Sequence, residues 1–162
     1  MFGKGKKFLA SVLTLTMLSL STVALTVSAH SSSKTDKIPQ LKGSITSNVW
    51  IQTISDLDGT GLFQVSAEYK SSSYPKPKWI KTAWDFNPIG IGVSVSYSRV
   101  SASASGSGYT KTSSGYWINS NGANTAWYRG RVGATGLCFY VGCENTASGF
   151  AAGVPFSTTA KV

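Results

Sequence analysis

The sequence predicts an all-β fold: a single antiparallel β-sandwich or small barrel, preceded by a cleaved signal peptide. Three observations predict it. Apolar–polar alternation recurs in short runs after residue 43, no window there carries a helical apolar stripe, and Gly, Pro and Asn punctuate the runs. Roughly eight short strands in about 120 residues is the content of a sandwich or small barrel.

The signal-peptide reading rests on residues 1–29. Lys4, Lys6 and Lys7 form a basic start, Phe8 to Ala29 is apolar with interspersed Ser and Thr, and Val27-Ser28-Ala29 supplies small residues for cleavage. A retained anchor is the alternative, because about twenty apolar residues can just span a bilayer. Cleavage would leave about 130 residues, one domain's worth. Three of the fifteen Lys and Arg residues would leave and all six acids would stay, lowering the net charge from +9 to +6.

The polar, basic and pattern-free segment 30–43 (HSSSKTDKIPQLKG) reads as a flexible leader, and 44–162 as the all-β domain. Ile45 to Ile54 is strand-like, with Asp56-Leu57-Asp58-Gly59 as a turn. Leu62 to Tyr69 sets Phe63, Val65, Ala67 and Tyr69 on one face and mostly polar residues on the other, the pattern of a strand with one wet side. Lys70 to Lys78 carries two prolines and reads as an exposed basic loop. Trp79 to Phe86 resumes as a strand that Asn87-Pro88 should end.

Between Ile91 and Tyr97 the apolar residues are odd-numbered; at Val100, Ala102 and Ala104 they are even. A one-residue slip turns every side chain to the opposite face. The phase change therefore predicts a bulge near Arg99, or a strand bending from one sheet to the facing one. A bilayer-spanning strand needs about 9 to 11 residues with one apolar face throughout, which the change of phase denies this stretch.

Asn121-Gly122 suits a type I′ turn, which would pair Tyr116 with Trp127, Trp117 with Ala126, and Ile118 with Thr125. Arg131–Tyr140 and Ala147–Val154 read as the remaining strands. Cys138 and Cys143 are the only cysteines. An even pair in an exported chain, with four residues between them, predicts a disulfide across a hairpin tip.

Catalytic inventory is thin. The single histidine, His30, lacks the second one that a histidine-brace copper site needs, and a hydrolytic triad would have to use this residue of the flexible leader. Asp56 to Gly61 partly resembles a calcium loop, but Ala67 stands where the twelfth-position acid belongs. A glycosidase needs two carboxylates about 5 to 9 Å apart, and only Asp56 and Asp58 are close in sequence. These considerations predict no enzyme, no metal and no cofactor.

The positive charge predicts an anionic partner, either a membrane or a cell-wall polymer; an extracellular location argues against nucleic acid. Tyr74, Lys76, Lys78, Trp79 and Lys81 interleave basic and aromatic groups, the mixture that sits at a lipid or polyanion interface. Arg129 and Arg131, alternating with Trp127, form a second such set. The profile of signal peptide, Ser-, Gly- and Trp-rich strands and no catalytic set resembles that of small cationic β-sandwich bacteriocins. The expected function is thus a secreted, non-enzymatic antimicrobial or envelope-binding factor. The alternatives are a matrix-type protein self-associating through strand edges and a small secreted hydrolase.

Overall fold

The computed structural model describes residues 29–53, 59–110 and 113–162. The signal-peptide reading (apart from Ala29) and the Asp56/Asp58 turn lie outside the described residues. Eight strands form the fold: β1 (Ala29–Ile38), β2 (Gly43–Gln52), β3 (Thr60–Ser71), β4 (Trp79–Ala102), β5 (Gly106–Thr110), β6 (Ser114–Asn119), β7 (Thr125–Ala151) and β8 (Val154–Lys161). They make one antiparallel sheet in the order β1-β2-β3-β7-β4-β6-β5, with β8 also on β7, and it is not closed into a barrel.

Two strands organise it. The first part of β7 lies between β3 and the second part of β4; its last part lies between β8 and the first part of β4. Midway, where β4 and β7 pair only with each other, bulges interrupt the ladder. Between Ile89 and Gly90 the partner strand advances by two, leaving Phe139 as the extra residue, and a second irregularity separates Ile91 from Ser94. Gly92 (φ 62°) and Gly136 (φ 83°) take the left-handed backbone there. We call this stretch the elbow.

The elbow lets the two parts of the sheet share a core. Val49, Ile51, Phe63 and Val65 of β2 and β3 pack with Trp84 and Phe86 of β4, Trp117 of β6, Val141 of β7 and Ala160 of β8. Phe63 is central, with ring centroids 4.8 Å from Phe86, 5.7 Å from Tyr97 and 5.9 Å from Tyr128. A second cluster joins Ile38, Leu41, Ile45 and Tyr69 to Ile80, Ala147 and Phe156, and Tyr69 stacks on Phe156 at 4.9 Å.

The alternation in β3 is realised: Phe63, Val65, Ala67 and Tyr69 are all buried. The phase change near Arg99 is a bulge, since Arg99 faces Gly130 and Ser101 faces Arg129, leaving Val100 extra and exposed. Ile91 is exposed as well, because the irregularity that follows it takes it off the face of Val95.

Four sequence expectations are corrected. Segment 30–43 is not a free leader: β1 pairs with β2 from Ala29–Gln52 to Ile38–Gly43, followed by a short 3-10 turn, Pro39–Leu41. Backbone pairing orders this strand, since among its side chains only Ile38 is buried. Asn87-Pro88 does not end β4; Pro88 sits opposite Val141, beyond the last β6 partner at Asp85, where β4 has one neighbour and no second ladder needs its missing N–H.

Strands β6 and β7 form no hairpin, because β4 and β5 occupy both edges of β6. Tyr116 faces Ala83 and Tyr109, whereas Trp127 faces Ser66. Gly122 has φ 80°, but Asn121 is not among the positive-φ residues, so the two positive angles of a type I′ turn are absent.

The disulfide is overturned. Cys138 and Cys143 are free, buried thiols. They lie along one strand, facing Gly90 and Phe86 of β4, instead of across a hairpin tip. Five steps at about 3.3 Å separate their backbones by about 16 Å, well beyond the roughly 4.4–6.8 Å that a disulfide bridges.

Candidate functional site

The strand register gives the molecule two ends. At one end lie the β1–β2 connection, the β3–β4 loop 72–78, the β6–β7 loop 120–124 and the β7–β8 turn. Ser71 Oγ donates to Leu41 O at 2.5 Å, Lys78 N donates to Phe150 O at 2.7 Å, and Gly122 lies against the Lys76 side chain. At the other end lie the elbow, the start of β1 and the C-terminus, where Val162 and Cys143 exchange backbone hydrogen bonds.

Five exposed lysines gather at the first end: Lys37, Lys42, Lys70, Lys76 and Lys78. Lys37 and Lys70 both face Ser44, one from each side, which puts them two strand spacings, about 10 Å, apart on one face. The ion pair among the described residues, Lys34 to Asp36 at 3.7 Å, involves none of the five. Tyr74 is exposed beside them; its N–H donates to Ser71 Oγ and its carbonyl accepts from Tyr69 Oη, which fixes the loop.

Two of the residues expected with this group adjoin it on β4. Trp79 is half-buried as the first residue of β4, opposite Phe150. Lys81 is half-buried on the outer face of β4, its Nζ 5.8 Å from the Tyr116 ring centroid. Conversely Lys37, Lys42 and Lys70 were not expected there. Their residues lie far from loop 72–78 or at its edge in sequence, and only the β1–β2–β3 register unites them.

Arg129 and Arg131 share the outer face of β7 with Trp127, as their spacing predicts. Arg129 lies between Gln64 and Ser101, and Arg131 between Leu62 and Ser98. This face continues into a ladder of hydrogen-bonded polar side chains. Ser33 donates to Asn48 at 2.7 Å, and Asn48 Nδ2 donates to Ser66 Oγ at 3.0 Å and Glu68 Oε1 at 3.1 Å. Arg99, across the Val100 bulge, is exposed, its guanidinium 5.6 Å from the Trp117 ring centroid.

A shallow depression of about 410 Å³ on the opposite outer face is lined by Lys81, Asp85, Tyr109, Tyr116, Glu144 and Thr146, among others. Asp85 and Glu144 are register partners. This juxtaposition of carboxylates from residues 59 apart in sequence was invisible in the chain, where only Asp56 and Asp58 are near neighbours. Beneath them the Cys143 thiol is pushed up to about 12, chiefly by burial and then by the Asp85 and Glu144 charges. It is therefore protonated and unreactive at neutral pH.

Among the described residues no three His, Cys, Asp or Glu side chains gather to hold a metal ion, and no helix is long and apolar enough to cross a membrane. His30 stands at the start of β1, its ring 5.9 Å from that of Tyr140. No protein-family model and no curated protein sequence matches the chain.

Proposed function

We propose that the protein is a secreted, non-enzymatic, cationic β-sandwich protein, freed from its signal peptide, that acts at an anionic cell surface as a bacteriocin-like antimicrobial or envelope-binding factor. The observation that carries this reading is the end formed by Lys37, Lys42, Lys70, Lys76 and Lys78, exposed and with no ion-pair partner among the described residues. Clustering like charges costs folding energy through self-repulsion, and an anionic partner recovers it. Each lysine held near an anionic lipid surface contributes about 1 kcal/mol, an attraction that salt screens. A sole histidine at the head of the sheet supports a non-catalytic role.

The test is sedimentation with vesicles of phosphatidylglycerol and with isolated cell walls, at low and high salt. Reversing Lys42, Lys70, Lys76 and Lys78 to Glu should weaken binding tenfold or more, on the roughly 1 kcal/mol per lysine above. Unchanged binding by that variant rules the reading out.

A self-associating matrix role is the second reading, favoured by the open edge that β1 presents at the limit of the sheet. Lys34 and Lys37 on that strand oppose edge-to-edge pairing. Assembly that persists at high salt would favour it over surface binding.

A further inference from the structure

The elbow is apolar on its outside. Ile89, Ile91, Leu137 and Phe139 are 59, 70, 51 and 65% exposed. Ile91 and Leu137 are register partners and so stand side by side on one face. Ile89, two residues back, faces Tyr140, and Phe139 is the extra residue of the adjoining bulge. Among the described residues neither strand has a third neighbour here: pairing with β6 stops at Asp85, pairing with β3 at Gly133, and pairing with β8 resumes at Glu144. Large apolar side chains collected at a bend with nothing packed against them mark an interaction site.

We infer that the elbow is a membrane-docking wedge whose occupant is the interfacial layer of a lipid bilayer. The first argument is charge. From Phe86 to Ser98 on β4, and from Val132 to Cys143 on β7, neither strand has a charged residue, in a chain that is otherwise rich in lysine. Burying this stretch in a lipid interface therefore desolvates no charge.

The second argument is depth. The apolar band covers two to three residues per strand, about 7 Å along the strand axis at 3.3 Å per residue. Asn87 bounds it on one side, and on the other the Ser94–Thr135 hydroxyl pair, 2.8 Å apart. Interfacial elements bury their apolar faces to about 5–10 Å. The unpaired edges of this two-stranded ribbon forbid deeper burial, since unsatisfied backbone groups are not tolerated in hydrocarbon. Side chains reach the acyl boundary while the backbone stays among hydrated headgroups. The wedge rests on the membrane without spanning it.

The third argument is where the rest of the chain joins. The apolar stretch from Phe8 leads directly to Ala29 and His30, and the His30 ring contacts Tyr140, next to Phe139. Before cleavage, the segment of the chain most compatible with a bilayer thus joins β1 where His30 touches the elbow. Because the lysines occupy the opposite end, this inference stands apart from the anionic-surface reading.

The test is hydrogen–deuterium exchange of the chain from His30 onward, freed of its apolar leader, with phosphatidylcholine vesicles in high salt, conditions that silence lysine attraction. Amides in 87–93 and 135–141, with open edges, should exchange about tenfold more slowly on the vesicles, and those in 72–78 should be unchanged. The variant Ile91→Gln/Phe139→Gln, altering exposed side chains alone, should lose this protection and keep its thermal transition. Vesicle-dependent protection lost in the variant supports the wedge. It is overturned by absent protection, by equal protection in the variant, or by protection that grows with protein concentration without vesicles, which would make the occupant a second copy.

Discussion

Thr82 on β4 donates its hydroxyl hydrogen to Asn145 Oδ1 on β7 at 2.6 Å, and both residues are fully buried. The Asn145 side-chain amide in turn donates to the main-chain carbonyls of Asn48 and Ser66, each at 2.9 Å, and to Ser47 Oγ at 3.0 Å, while Ser47 Oγ donates to the Asn145 main-chain carbonyl at 2.6 Å. A single amide therefore ties β2 and β3 to the part of β7 that pairs with β8. Asn145→Ala should destabilise the fold by about 3 kcal/mol, because buried groups lose their partner. Thr82→Val removes one donor and should cost about 1–2 kcal/mol. Urea denaturation of the two single variants and the double variant should show less-than-additive losses, the mark of one network.

Alkaline pH should weaken the protein through Cys143. Its pKa is raised from 9.0 to about 12, so the unfolded thiol ionises first and favours unfolding. The stabilisation is fully present below pH 9 and is lost as pH rises from 9 towards 12, at no more than roughly 1.4 kcal/mol per unit. Burial raises the Tyr128 hydroxyl too, partly offset by Arg99, adding to the loss above its ordinary value of 10.0. Cys143→Ala should flatten the fall in denaturation midpoint between pH 9 and 11. A reductant should leave the midpoint unchanged, and intact-protein alkylation after unfolding should find two thiols.

The elbow glycines should behave unequally. Both have positive φ, but a Cβ on Gly136 would strike the Gly92 carbonyl, whereas one on Gly92 meets nothing within 4 Å. Gly92→Ala should cost about 1 kcal/mol, the left-handed backbone penalty alone. Gly136→Ala adds backbone collision and should cost at least about 2 kcal/mol more. Thermal melts of the two variants provide the comparison.

Asp85 and Glu144 oppose one another in register, and like charges so placed destabilise a sheet. Lys161 of β8, the partner of Glu144 on its other side, offsets this. Asp85→Asn should therefore stabilise the protein by about 0.5 kcal/mol, with the gain shrinking as salt rises. Lys161→Ala should destabilise it by a similar amount. If Asp85→Asn is instead neutral at low salt, the two carboxylates do not repel measurably.

What could be read from the chain was what depends on neighbours in sequence. Alternation located the buried face of β3, and the broken phase after Tyr97 located the Val100 bulge. The disulfide and the β6–β7 hairpin failed because each assumed that residues close in sequence turn back on one another. In the structure, β4 lies beside both segments from far away in the chain and keeps Cys138 to Cys143 extended. The polar β1 was missed because its order comes from backbone pairing with β2, which leaves no apolar pattern behind. At the lysine end, loop 72–78 was legible from its prolines and charges; Lys37, Lys42 and Lys70 joined it only through register. The outward turn of Ile91 was not legible, because it continues the odd-numbered apolar run to Tyr97 and the irregularity between Ile91 and Ser94 shows only in the register.

The placement of β7 has a consequence for how the chain acquires its structure. Strand β3 has β7 as its second neighbour, β4 runs along β7 for most of its length, and Ser47 bonds to Asn145, 98 residues away. Everything made before residue 125 thus waits for a strand not yet synthesised. Such distant pairing is slow to form. The nascent protein should emerge as an extended, foldless thread and collapse only once its last forty residues are free. A truncated chain ending at 124 should show no cooperative melting, in contrast to proteins that assemble progressively as they leave the ribosome.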